Sequence, residues 1–494
     1  MAYLLPDSVR KMVLERITPR ESEIKTQKEV IAILTNALLT RASEAGFSYS
    51  FIEPQGSTGM KQTQLHGVAD IDLFVALNPN EHLAILNLPA AKRHAALDSL
   101  MSGLVSNWFE PALDGIEVEA VQKAFSQHPF LSLRMKGIDV DILGCFDIDK
   151  SSLAKEGPIT AVDRTVHHTR YIAERLNEKK REDARILKSF VRACHAYGDT
   201  CAVGRMGLTG VALELLIVFS ENLDDAIHSL RNLDTKPVDI CNRTLDELKV
   251  INAFQDDFLF LIDPTDTNRN IASSFSRRSY RWVQYQVDKL YEALEKENDV
   301  LVDFLIESPI SSKDVPKWFD AHSKGYEFQK NKEIHYTILR DKLHRIARKI
   351  RTEMEFEKTG EKRFGQILTE IVFGNGQYAL GVTVESPHIS PTYIRKGPPI
   401  DLKDAASRFR KAHRNVSEID GYLCIEAKRE WTYFEDMLKV LLDEYQVEGL
   451  ELLYSKNILS RQVLNVLFRC ILPIEPEFKE KMTRVKETEI NSSR

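Results

Sequence analysis

Nowhere in the 494 residues does an apolar run approach the roughly 20 residues needed to cross a bilayer. The opening MAYLLPDSVRKMVLERITP lacks the long apolar stretch of a secretory leader and reads as the entry to a helix. The six cysteines form no C-x-x-C pair, which argues against a disulfide scaffold and a structural zinc site. A reduced, cytoplasmic compartment is expected instead. Gly (22) and Pro (18) are too sparse for a collagenous or low-complexity chain, and no segment repeats. Positive charge is not in surplus: 67 Lys and Arg meet 73 Asp and Glu, a net charge of −6. A polyanion would therefore have to be met by local basic patches rather than by the field of the whole surface.

What is present is an ordinary globular composition, 43% hydrophobic and 28% charged, on a chain too long for one core. Three or four domains are expected. Apolar residues at helical spacing (Val9, Met12, Val13 and Ile17, then Val30 to Leu39) predict helices across 9–46, with Gly46 as a stop. Strands are predicted at 48–56, 70–77, near 116–121, at 130–135 and at 138–146, with helices across 80–106. From 165 to 300 the pattern is almost wholly helical. An amphipathic helix follows at 336–351, then alternating runs at 366–373 and 377–385 and the Pro-rich SPTYIRKGPP. A helix near 402–414, a strand near 421–427, helices at 433–445 and 457–471 and a polar tail of some 15 residues close the chain.

The sharpest local signal is Gly56-Ser57, a 12-residue gap, then Asp70-Ile71-Asp72-Leu73-Phe74-Val75. On a strand Asp70 and Asp72 share one face, about 7 Å apart, while Ile71, Leu73 and Val75 share the other. Two neighbouring carboxylates repel unless a cation lies between them, and Mg²⁺, or Mn²⁺ in its place, prefers oxygen ligands and leaves positions for phosphate. Asp139-Val140-Asp141 on a second strand offers the third acid of a two-metal site. Gly56 would let backbone approach a triphosphate, and the Ser57 hydroxyl would bind its oxygens.

GSTGMKQTQLHGVADIDLFV resembles the signature of the polymerase β superfamily of nucleotidyltransferases. The segment from Ile159 to His168, containing AVDRTVHH, resembles the AVDRT-x-x-H of archaeal-type (class I) CCA-adding enzymes. Arg185 to Phe190 with Tyr197-Gly198 resembles their RLLK-x-F…YG, MGLTGVALELLIV (206–218) their GFSGYLCELLI, and IDPTDTNRNIA (262–272) their DP-x-D-x-x-RN-x-A. IRKGPP (394–399), with the basic helix and Trp segment after it, is also similar. The matches run in order from about residue 13 to 435.

The resemblance implies an α+β multidomain fold: a polymerase β-like palm, a helical central domain, a small α/β RNA-binding module and a helical C-terminal part. The expected boundaries are 1–150 (catalytic head), 151–265 (helical central domain), 266–335 (body), 336–432 (basic tail module) and 433–494. It implies that Asp70, Asp72 and Asp141 are catalytic and hold metal, the first in place of the family's usual Glu. Gly56, Ser57 and Lys61 would meet the triphosphate, Lys61 standing where an Arg is usual, in a loop one residue longer. Thr165, Lys188 and Tyr197 would contact triphosphate and ribose beside His168, and Arg269 with Asn270 would recognise the base.

Each position also has a plainer reading. Lys188 could be a solvated helix charge, His168 a buried structural histidine, Arg269 a structural cation, and Asp163-Arg164 an internal ion pair. Lys188 and Tyr197 lie nine residues apart, half a turn out of phase, and converge only if the helix stops near Gly198. In the family Pro follows the third acid's strand; here Gly144 stands there.

The helix at 336–351 carries Arg340, Lys342, Arg345, Arg348, Lys349 and Arg351 against Asp341 alone, and 394–414 adds Arg395, Lys396, Arg408 and Lys411 among others. Such faces suit the phosphate track of an A-form RNA stem, with Arg345, Lys349, Arg395, Lys396, Arg408 and Lys411 the candidate tRNA contacts. The implied activity is template-independent addition of C, C and A to tRNA lacking part or all of that end, from CTP and ATP, with a homodimer allowed and no membrane partner. The alternatives are a poly(A) polymerase, an oligonucleotide synthase, a tRNA-modifying toxin, or an inactive RNA-binding relative.

Overall fold

A computed structural model describes residues 5–68, 70–125, 128–294, 298–453 and 457–483. Most of the polar tail lies outside them. The chain divides into two compact units, Met1–Gly198 with Leu208–Ser308, and Asp199–Gly207 with Pro309–Arg494. Among the described residues no helix is long and apolar enough to cross a membrane.

The first unit opens with helices α1 (Asp7–Ile17) and α2 (Glu21–Ala45), the latter ended by Gly46 at φ +74°. Five strands, β1 (Phe51–Gln55), β2 (Asp70–Leu77), β3 (Ala120–Phe125), β4 (Pro129–Met135) and β5 (Ile138–Phe146), form one sheet in the order β1-β2-β5-β4-β3. Two helices, α3 (Leu83–Leu86) and α4 (Ala90–Leu104), connect β2 to β3. The third strand begins at 120, later than the expected 116. Its side chains are mostly exposed, so burial could not mark its start.

The two inner strands explain why the sheet lies as it does. Ile71, Leu73, Val75 and Leu77 of β2 and Val140, Ile142 and Phe146 of β5 enter the core shared with α2 and α4. Burying a side chain of this size stabilises by about 1.5–3 kcal/mol. Gly144 faces the same side: a Cβ there would come within 2.6 Å of Met101 Sδ and 2.9 Å of Leu104 Cδ1. Close packing of α4 on β5 therefore requires glycine at position 144. Trp108 is fully buried and donates its indole N–H to Leu38 O at 2.9 Å, so its one polar atom is satisfied.

Helices complete the first unit: α5 (Lys150–Glu156), α6 (Asp163–Ala173), α7 (Glu178–Ala193), α8 (Gly210–Phe219), α9 (Leu223–Arg231), α10 (Leu245–Lys249), α11 (Arg277–Ala293) and α12 (Asn298–Leu305). They are interrupted by a small hairpin, β6 (Ile262–Asp263) and β7 (Asp266–Asn270), inside the stretch expected to be helical. Apart from the buried Ile262 its residues are polar and do not alternate; side-chain to backbone hydrogen bonds hold it instead.

In the second unit, α13 (Lys317–Asp320) and β8 (Ser323–Lys330) precede α14 (Tyr336–Glu355), β9 (Ile367–Gly374) and β10 (Gln377–Val384). A smaller layer follows, of β11 (Thr392–Pro399), α15 (Lys403–Ala412), β12 (Ser417–Ile419) and β13 (Tyr422–Lys428); α16 (Phe434–Glu444), β14 (Leu450–Leu453) and α17 (Ile458–Val466) end it. The larger sheet runs β14-β8-β10-β9 and the smaller β11-β13-β12, all antiparallel. Strands β8 and β14 lie on either side of the expected 336–432 module, so the boundaries expected at 335 and 432 cut through this sheet. SPTYIRKGPP forms an edge strand, where prolines without an N–H are tolerated.

Candidate active site

The parallel register of β2 and β5 sets Asp70 opposite Asp139 and Asp72 opposite Asp141. All four share the face turned away from the α4 core. Beyond them that face turns apolar with Phe74, Ala76, Leu143 and Cys145, covered by Val166 of α6. The acids thus stand at the open end of a strand pair whose other end is packed. Asp139, exposed like Asp70, pairs with Arg134 at 3.0 Å.

Burial raises the Asp72 carboxyl to about 7, and the charges of Asp70 and Asp141 add to it, with Lys61 pulling the other way. Burial also raises Asp141, against a hydrogen bond with Ser132 and with Asp70 and Asp139 adding. Among the described residues no three His, Cys, Asp or Glu side chains close tightly enough to enclose an ion by themselves. The acids form an open row, with Asp70 exposed and Asp72 and Asp141 half-buried, and repulsion among such neighbouring carboxylates is the condition a divalent cation relieves.

The loop after β1 lies against this row. Gly56, at φ +69°, would place a Cβ 2.8 Å from Asp72 Oδ2, so any side chain would crowd the acid. A Cβ on Gly59 would lie 2.4 Å from Pro54 O, so the loop cannot fold back on β1 without glycine there. Thr58 Oγ1 donates to Asp70 O at 2.7 Å, and the Thr63 amide donates to Ser57 O at 3.0 Å. Ser57 itself is partly exposed.

Behind the loop sits a charge cluster centred on a residue that motif reading left out, Glu214 of α8. It is fully buried, and Lys61 Nζ and Lys188 Nζ each donate to it at 2.6 Å. Thr63 Oγ1 donates to it as well. Burial alone would raise the Glu214 carboxyl, but Lys188 and Lys61 outweigh burial and bring it down to about 2. The signal was present in VALELLIVF, a lone carboxylate in an otherwise apolar helix.

Lys188 also donates to Thr63 O at 3.1 Å and Thr63 Oγ1 at 2.9 Å, so all three of its ammonium hydrogens have protein partners. It is neither the solvated charge of the plain reading nor a cation free to meet a triphosphate. Tyr197 converges on it: a Cβ at Gly210 would lie 2.6 Å from Tyr197 Oη and 3.5 Å from Lys188 Cε. The helix stops earlier than Gly198, however. Its last residue is Ala193, and His195 adopts the left-handed turn at φ +52°.

On α6, Asp163 does not pair with Arg164. Asp163 accepts from the Phe146 amide at 2.8 Å and the Thr160 amide at 2.6 Å, tying the start of α6 to the end of β5 and to the preceding loop, while Arg164 donates to Asp266 at 2.6 Å. Adjacent side chains on a helix point apart, which is the physical reason. Thr165 and His168, three apart, share one face. His168 is buried, and burial lowers its pKa, with Asp263 opposing; its Nδ1 lies 3.8 Å from Asp263 Oδ2.

Asp263 also accepts from Arg269 at 3.2 Å and from the Thr265 amide at 2.9 Å. Arg269 keeps a third of its side chain exposed and can turn a free edge outward. Asn270 cannot. Its Oδ1 accepts from the Leu261 and Ala272 amides (3.0 and 3.1 Å), and its Nδ2 donates to Asp257 and Leu259 O (2.8 and 2.7 Å). As placed, its amide has no free hydrogen-bonding group to turn toward a base.

In the second unit, Arg345, Lys349, Lys396, Arg408 and Lys411 are exposed and Arg395 is half-buried. Arg340 departs from the expected exposed face: it is buried and donates to Asp199 O and Asp341. Lys396 Nζ stands 3.4 Å above the Tyr422 ring, and Gly397 admits the Phe409 ring of α15 where a Cβ would clash at 2.5 Å.

Residues 182–298 match the family described as tRNA nucleotidyltransferase, second domain. The CCA-adding enzyme of Methanosarcina mazei is 23% identical over 88% of this chain and 89% of its own length. That of Methanopyrus kandleri is 26% identical over 87% of this chain and 85% of its own. Among solved structures, E. coli MS115-1 CdnC with ATP is similar at 14% identity and a TM-score of 0.44, covering 62% of this chain and 99% of that one. The matched second domain holds Lys188, Tyr197, Glu214 and Arg269 together.

Proposed function

We infer that this relative of the archaeal CCA-adding enzymes performs their reaction, adding C, C and A to the 3′ end of tRNA from CTP and ATP without a template. The observation that carries the chemistry is the β2–β5 register, which sets Asp72 beside Asp141 on one open face under the Gly56 loop. Nucleotidyltransferases use divalent metal ions, and a cation held by Asp70, Asp72 and Asp141, Mg²⁺ or Mn²⁺, would neutralise charge that builds on the phosphates.

The chain's own residues supply the rest. Gly56 leaves room for phosphate oxygens beside Asp72. Ser57 and the Lys61 ammonium, which bonds only to Glu214 among the described residues and so keeps two hydrogens free, face the triphosphate. The tRNA 3′ oxygen bonds to the α-phosphorus as that phosphorus loses its oxygen bridge to the β-phosphate, and pyrophosphate leaves. Asp141 assists removal of the hydroxyl proton, and the Arg269 fork, held by Asp263, presents donors to a base edge. Thr165, beside His168, would line the ribose side with Tyr197. The exposed cations of α14, β11 and α15 give the RNA backbone its track. The free cysteines fit a reducing, cytoplasmic compartment.

The test is incubation with Mg²⁺, labelled CTP or ATP, and tRNA transcripts ending before CCA, after C and after CC. Two C and then one A, lost in Asp70→Ala/Asp72→Ala, is the expected result. Untemplated tails of one base on any RNA would instead identify a polymerase or a tRNA-modifying toxin, and no incorporation would leave an RNA-binding relative.

A further inference from the structure

The loop that carries Ser57 and Lys61 is held from outside its own strand. Three successive backbone carbonyls each accept from one face of α7: Lys61 O from Arg181 Nε at 3.2 Å, Gln62 O from Arg185 Nη2 at 2.7 Å, and Thr63 O from Lys188 Nζ at 3.1 Å. The donors lie at i, i+4 and i+7, one helical stripe. From α8, Glu214 takes hold of the side chains of the same segment, Lys61 and Thr63, and of Lys188.

Two features say that this arrangement constrains the loop rather than merely packing it. Gln62 is exposed, yet its backbone sits at φ +53°, a conformation that non-glycine residues seldom adopt and that persists only where neighbours determine it. Arg185, whose carbonyl contact is the shortest of the three, is buried; its other near contact is Glu178 at 3.7 Å. A buried guanidinium aimed at a main-chain carbonyl is costly as packing and effective as a tether.

We propose that Arg185 and Glu214 are positioning residues for the nucleoside triphosphate. Together they set the height and register of the Gly56–Thr63 loop, so that Ser57 and the free side of the Lys61 ammonium face the phosphates above Asp70 and Asp72. Glu214 holds Lys61 by one bond and leaves two of its hydrogens available, while Lys188, fully bonded, anchors the far end. The inference rests on the nucleotidyltransferase reading and assigns the two residues no contact with substrate.

Glu214→Gln removes one charge from the cluster and keeps its shape; Arg185→Lys keeps charge and loses the fork. Steady-state addition to a tRNA transcript ending in CC is measured with ATP varied, then with tRNA varied, and equilibrium binding of ATP with Mg²⁺ is measured separately. The expected result for Glu214→Gln is a rise in KM and Kd for ATP of about tenfold or more, with KM for tRNA unchanged and kcat per active site within a few-fold. Arg185→Lys is expected to shift the same constants by a smaller factor, and Glu214→Asp to recover part of the loss. Should Glu214→Gln not fold, Arg185→Lys carries the test. Unchanged KM and Kd with only a lowered melting point or active fraction would overturn the proposal. A wild-type protein that binds no ATP would overturn the nucleotidyltransferase reading instead.

Discussion

Lysine and arginine are used in opposite ways in the two units. Behind the acidic row of the first, Lys61 and Lys188 are withdrawn from water, joined to one buried carboxylate and to a backbone segment. In the second, Arg345, Lys349, Arg408 and Lys411 stand in solvent on α14 and α15. A cation taken out of water is stable only with partners at fixed distances, so it fixes geometry. A cation left in water has little geometry to impose but contributes to a field that a polyanion feels, screened over about 8–10 Å. The first arrangement suits a triphosphate that must be aligned to a fraction of an ångström, the second a long RNA stem.

The comparison breaks most sharply at the acids. Asp70→Ala/Asp72→Ala should lower nucleotide addition about a thousandfold or more, since several kcal/mol of charge stabilisation is lost. The folded state should be no less stable, because removing either acid relieves repulsion; equal losses of melting temperature and activity would show the acids to be structural.

Next in size is Asn270→Ala, which strips hydrogen-bond partners from Leu261, Ala272, Asp257 and Leu259. A destabilisation of about 3 kcal/mol in denaturant unfolding is expected. Its neighbour Arg269→Ala should instead leave stability nearly unchanged and raise misincorporation of C for A. If Asn270→Ala altered base choice without altering stability, the structural assignment would fail.

A pH experiment sharpens the contrast further. The folded carboxyl of Asp72, raised to about 7, sits above the usual acid value near 3.8, so the folded state holds this proton more tightly than the unfolded chain. Without divalent cation, its burden on stability is absent below about pH 4 and fully present above pH 7. Metal-free protein should therefore lose stability between those limits relative to Asp72→Asn, and Mg²⁺ should raise the melting temperature more at pH 8 than at pH 5. An equal effect of Mg²⁺ at both pH values would remove the acids as its site.

The smallest effects belong to the exposed cations. Arg408→Glu or Lys411→Glu should each weaken tRNA binding a few-fold and reduce the slope of log K against log salt by about one. The KM for ATP should not move. A change confined to the nucleotide constants would place these residues elsewhere in function.

Much of the site was legible in advance. Alternation in DIDL and IDVDI, continued by apolar runs, predicted strands 70–77 and 138–146 with the acids on one face, and these are the bounds observed. Where polarity does not alternate, the pattern failed. The β6–β7 hairpin holds together through Asp263 and Asn270 side chains bonded to backbone, and β11 is an edge strand with two prolines. Neither has a hydrophobic period to read. Glu214 escaped for a related reason: a lone acid in an apolar helix announces that it has partners without saying which.

That division follows the range of the forces. Alternation, helix stops and glycine turns depend on neighbours a few residues away, so the sequence by itself determined which residues line each strand face and that three acids could share one. Which strand lies beside which, and which charge meets which, depends on contacts such as Lys61 with Glu214, 153 residues apart, and Lys188 with Thr63, 125 apart. No local pattern encodes those pairs. Only the packed tertiary structure decided that one lysine is left with hydrogens to offer and the other has none, because burial forces every charge to find its partner.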